Sequence, residues 1–141
     1  MAWFPDLEPL AYFGEDAARV LRAVGWLDRG HPFARGPADR ATFDKLVELS
    51  RDPYQPFALA GSHHCNICQF VPERTASANL FVPGPGFLFA CPVLITHYIN
   101  SHEYRPPSEF CAAVLACDDT RSMQYKRAFL ENGGRLLLRA G

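Results

Sequence analysis

No apolar run in this chain approaches the ~20 residues that a membrane-crossing helix needs, and no segment repeats or falls into low complexity. Net charge is almost lacking. Fourteen Lys and Arg stand against 15 Asp and Glu, for a formal charge of −1. A general nucleic-acid binder shows a basic face, and this balance does not supply one. The opening Met-Ala-Trp-Phe-Pro-Asp has neither a basic n-region nor an apolar h-region, so no secretory signal is expected. The expected compartment is therefore the reducing cytosol. There, five cysteines point to metal or free thiols and not to disulfides.

What is present is enough chain for one domain with a real core: 141 residues, 48% of them hydrophobic. Twelve prolines and ten glycines predict short elements and much ordered loop, the setting in which a metal staple helps most. One local charge excess stands out. From Thr120 onward Arg121, Lys126, Arg127, Arg135 and Arg139 face a single acid, Glu131, and this reads as a solvated helix face and tail.

Residues 1–14, with Trp3, Phe4, Tyr12 and Phe13, read as an ordered arm packed on the body, since a disordered tail would not carry so many aromatics. Residues 15–27 fit a helix begun at Glu15, but Gly25 and the β-branched residues favour a strand over 20–27. A helix is expected over 39–51, capped by Asp39, with Phe43, Leu46 and Val47 on its apolar face and Pro53 ending it. Residues 52–62 read as irregular. Apolar runs around Pro83-Gly84-Pro85-Gly86 predict a hairpin over 79–90. A helix should start near Pro92 and end before Pro106-Pro107. Two more helices should follow. One starts near Ser108 with Phe110, Val114 and Leu115 on its apolar side; the other runs over 121–131 and is closed by Gly133-Gly134.

The chemistry sits in two pairs. Cys65-Asn66-Ile67-Cys68 is a C-x-x-C knuckle, a spacing that turns two thiolates toward one zinc ion. The rival reading, a thioredoxin-like redox pair, needs a βαβ setting, and a loop and hairpin follow here instead. His97 and His102 supply the second pair, within the spacing of zinc-ligating histidines. In a regular α-helix residues turn ~100° each, so positions five apart stand ~140° apart around the axis. The expectation is a tightened last turn that brings His102 back toward His97. Otherwise His63, two residues before Cys65, takes the fourth position. Cys91 is a further possible ligand, whereas Cys111 and Cys117 read as small core residues.

With these residues in view, the chain resembles a family of small uncharacterised bacterial proteins. The resemblance is carried by Gly25-Trp26-Leu27, Gly30-His31-Pro32-Phe33, the run from Gly61 through Cys68, the run from His97 through Pro107, and Glu109-Phe110. It covers residues 4 to 117 and implies no established activity. It does imply that His31 and His63 belong to the pattern with Cys65, Cys68, His97 and His102, more histidine than one tetrahedral site uses. His31 and His63 are thus reserve ligands or supports of the ligands.

The resulting expectation is an α+β fold, one domain over 1–141. Its core at 61–104 would be treble-clef or zinc-finger-like in order: knuckle, β-hairpin, helix. The arm at 1–14 and the helices at 108–132 would pack around it. The leading function is a non-enzymatic zinc-stabilised domain that binds another protein, through the aromatic arm and the Tyr104-Arg105-Pro106-Pro107 turn. A zinc-dependent hydrolase is the second reading, with Glu103 or His63 as acid or base; neither the deaminase nor the H-E-x-x-H signature occurs. A nucleic-acid-binding finger is the third, and duplex DNA is disfavoured because residues 92–102 carry no Lys or Arg.

Overall fold

The hairpin forms where the turn chemistry places it. In the computed structural model, which describes residues 3–56, 63–68 and 75–140, two five-residue strands flank the Pro-Gly-Pro-Gly turn. These are β4 (Asn79–Pro83) and β5 (Leu88–Pro92), paired antiparallel with Phe81 opposite Ala90. The Gly84 N–H closes the turn on the Phe87 carbonyl at 2.8 Å. Both strands are buried almost throughout, because each face is covered. The fold is accordingly α+β, small helices around a three-stranded sheet in which β5 is central, between β4 and a short strand over Leu21–Ala23.

β1 (Leu21–Ala23) lies parallel to β5 and is only three residues long. The ambiguity over 15–27 resolves into both alternatives: a short α1 (Glu15–Ala18) precedes the strand. The strand stops before Gly25 because that residue has φ +76°, a conformation glycine tolerates best, and a Cβ there would press on Ile95. The aromatic arm runs antiparallel along β1. Leu7 and Leu10 donate to the carbonyls of Ala23 and Leu21, and Ala23 donates to Glu8. The arm therefore satisfies backbone groups that an edge strand would leave open. Phe4, Tyr12 and Phe13 gather around Trp26, whose indole N–H donates to the buried Ala90 carbonyl at 2.9 Å.

α2 (Arg40–Ser50) starts as expected, with the Asp39 carboxylate accepting from the Thr42 N–H at 3.2 Å. Its inward face is rotated from the expected one. Thr42, Leu46 and Leu49 are buried, while Phe43 and Val47 lie at the margin, because α2 also packs on a later helix. Residues 57–62 of the expected irregular connection lie outside the described residues.

Pro92 does not open a helix. It is the last residue of β5, opposite Asn79, and α3 (Ile95–His102) begins after a turn. α3 ends at Glu103, whose backbone is left-handed (φ 57°), three residues before Pro106. α4 (Ser108–Ala116) packs on α2 and β4 through buried Phe110 and Val114. Leu115, expected on the apolar side, is half exposed. α5 (Met123–Phe129) is capped by Ser122. Gly133-Gly134 does not end the chain's helical structure. A wide turn over Leu130–Gly134, with Gly133 at φ +116°, redirects the backbone into α6 (Arg135–Ala140), which packs back on α1. No described helix is long and apolar enough to cross a membrane.

Candidate metal centre

The knuckle hangs from a short ladder. β2 (His63–His64) pairs antiparallel with β3 (Thr75–Ala76), and Cys65 follows β2 directly. The hairpin then carries the chain from β3 to α3.

Cys65, Cys68, His97 and His102 form one group whose ligand atoms all lie within 4.8 Å of one another. Cys65 is buried and the other three are half-buried. Cys68 Sγ stands 3.2 Å from His97 Nε2 and 3.4 Å from His102 Nε2, and Cys65 Sγ stands 3.3 Å from His102 Nε2. With zinc at ~2.3 Å from sulfur and ~2.0–2.1 Å from nitrogen, tetrahedral geometry sets sulfur and nitrogen ligands ~3.5 Å apart. The observed separations fit that edge length. Among the described residues no carboxylate joins the group.

The two histidines meet by a route other than the expected one. The last turn of α3 is widened, not tightened. The Glu103 N–H reaches back five residues to the Tyr98 carbonyl, and the Tyr104 N–H shares that carbonyl at 3.2 Å. A closure five residues wide sets position i+5 beneath position i, as the four-residue closure of an α-helix does for i+4. The left-handed Glu103 then lets the chain leave. Residues 34–36 pair with 103–105 and fix the exit: Gly36 N–H donates to Glu103 and Arg105 N–H to Ala34, each at 3.0 Å.

Burial pushes the Cys65 thiol up, while the backbone N–H groups of Ile67 and Cys68 bond to its sulfur and act in the opposite direction. A bound dication acts the same way as those amides and far more strongly, deprotonating a coordinating thiol outright. Burial, with Arg35 nearby, holds His102 below the usual imidazole range and so in its neutral, ligating form.

The remaining candidates separate from this group. His31 stacks on Trp3, ring centroids 3.7 Å apart and 9° between planes, and its Nε2 lies 3.8 Å from the Asp28 carboxylate. It is not among the four clustered side chains that could hold a metal. The side chain of His63 lies outside the described residues; its backbone is in β2. Cys91 is fully buried in the sheet, its thiol pushed well up by burial, and does not join the group. Cys117 is likewise a core thiol, raised to about 11 by burial.

The spacing gave no sign of a latch that holds the knuckle from outside. Asn66 sits between the cysteines, donates through Nδ2 to the Asp28 carboxylate and accepts at Oδ1 from the Arg29 N–H at 3.0 Å. The Arg29 guanidinium donates to the Cys68 carbonyl at 3.2 Å. The bond to Asn66, with that to Gly30, lowers the Asp28 carboxyl from its usual range. An Asn inside a C-x-x-C was the only available signal, and its partner lies 37 residues earlier.

The family model described as a domain of unknown function, DUF7919, matches residues 2–115. No curated protein and no solved structure matches the chain.

Proposed function

We propose that this chain, which belongs to the DUF7919 family of unknown function, is stapled by one structural zinc ion and works by binding another protein, not by catalysis. The observation that carries the reading is the closed ligand set. Four candidate ligand atoms, two sulfurs and two nitrogens, lie within 4.8 Å of one another among the described residues, and we read them as a complete tetrahedral set. A catalytic zinc keeps three protein ligands and an open position for water. We read the order of knuckle, hairpin and helix as treble-clef-like, which favours a structural role. Zinc fits the donor set better than magnesium or calcium, which prefer oxygen ligands.

Glu103, the acid that a hydrolase would draw on, is exposed at the exit of α3 and outside the ligand group. A duplex-binding finger finds equally little support, since α3 carries no Lys or Arg. The partner surface is narrower than the sequence suggested. Tyr104 and Pro106 are buried, with the Tyr104 hydroxyl donating to Asp6 at 2.7 Å, so the 104–107 turn cannot present them. Trp3 and Tyr12 keep 37% and 39% of their surface exposed and are the aromatic anchors that remain on the arm.

Cobalt substitution tests the reading. Co²⁺ in a closed S₂N₂ site gives an intense tetrahedral spectrum that added azide leaves unchanged. A spectrum that shifts toward five-coordination with azide reveals an open position and overturns the structural assignment.

A further inference from the structure

A cleft of about 730 Å³ borders the knuckle at Ile67 and is otherwise lined by Arg29, His31, Pro32, Phe33, Arg35 and the Gly30 backbone. That volume lies within the ~300–1,000 Å³ typical of small-molecule sites. Both guanidinium groups are held by uncharged partners. Arg29 is tied to the Cys68 carbonyl, and Arg35 lies over the Phe33 ring, 4.7 Å from its centroid. Neither forms an ion pair with a carboxylate among the described residues. The one acid at this loop, Asp28, is engaged by Asn66, the Gly30 N–H and His31. His31 is in turn clamped against Trp3.

Two guanidinium groups that form no ion pair of their own, set in one concave surface, focus a field that attracts anions. The planar fork of a guanidinium matches an oxyanion with two parallel hydrogen bonds. Beside these charges stand the apolar walls of Pro32, Phe33 and Ile67. We infer that this cleft binds a small molecule joining an oxyanion, carboxylate or phosphate, to a flat apolar body, with Arg35 and Arg29 gripping the anion and Phe33 and Ile67 the body. The inference goes beyond the structural-zinc reading. It needs the knuckle in place but not any particular ion within it.

The test uses the full chain as purified. Phenyl phosphate, benzoate and, as a cationic control, benzylamine are titrated and followed by amide NMR shifts. One of the two anions should bind with shifts confined to residues 29–35 and Ile67, and the tighter one identifies the head group. Benzylamine should not bind there. Arg35→Gln should weaken that anion at least tenfold with the amide spectrum of the fold retained, since the pairing of this position with Tyr104 runs through its backbone. Arg135→Gln, an exposed charge on α6, should leave binding unchanged. The inference is overturned if neither anion binds, if benzylamine binds equally, or if the two arginine variants weaken binding alike.

Discussion

His97 and His102, five positions apart on α3, both bring Nε2 against the sulfur of Cys68, at 3.2 and 3.4 Å. A straight α-helix would hold them ~140° apart, and α3 departs from one at this end, where the Glu103 N–H reaches back five residues to the Tyr98 carbonyl. His102→Ala should therefore release the metal, whereas His63→Ala should keep it. Zinc per chain after extensive dialysis distinguishes them; retention by His102→Ala and loss by His63→Ala would move the fourth ligand to the knuckle side.

The cysteines give the complementary expectation. One equivalent of zinc should accompany purified protein. Cys65→Ser and Cys68→Ser should lose it together with a large part of the melting temperature, because binding free energy at such a site is folding free energy. A metal-free protein that melts as the wild type does would refute the staple.

Asn66 tests the latch. Its amide joins Asp28 and Arg29 to the knuckle without being one of the four clustered groups. Groups that orient ligands in this way are worth ~10–100-fold in metal affinity. Asn66→Ala should weaken zinc binding in competition with a chelator by about that factor while the fold is retained. Unchanged affinity would show that the knuckle keeps its shape unaided.

The sequence disclosed what depends on neighbours along the chain. The hairpin followed from Pro83-Gly84-Pro85-Gly86, the α2 cap from Asp39, and the grouping of two ligand pairs from their spacing. Distant partners decided what it did not disclose. Tyr104 looked available for an interface until its hydroxyl met Asp6, 98 residues away. Pro92 looked like a helix start because a strand partner at Asn79 leaves no local trace. Gly133-Gly134 looked like an end because the packing of α6 on α1 is invisible at that range.

Gly134 offers a stability test away from the metal. A Cβ there would collide with the Phe129 ring and its own-turn backbone, and the next residue begins α6. Overpacking of this kind costs ~1–3 kcal/mol. Gly134→Ala should lower stability by about that amount in urea unfolding with zinc content unchanged. Wild-type stability would show that the wide turn can relax.

Asp6 supplies a pH test. Its carboxylate accepts from the Tyr104 hydroxyl at 2.7 Å and from the Gly25 N–H at 3.0 Å. Burial nevertheless outweighs both bonds and raises its pKa above the ordinary 3.8. The folded state thus binds this proton more tightly than the unfolded chain does. The stabilisation from protonation is complete below the unfolded pKa and is lost as pH rises through the higher folded value. Asp6→Asn removes this linkage and keeps the shape. Any effect of acid on the Cys65, Cys68, His97 and His102 group is common to both proteins, so the difference between them isolates Asp6. The melting temperature of the wild type minus that of Asp6→Asn should therefore grow as pH falls from neutrality toward 3.8. A difference that shrinks on acidification would mean that the two hydrogen bonds prevail over burial and that Asp6 stabilises the fold as an anion.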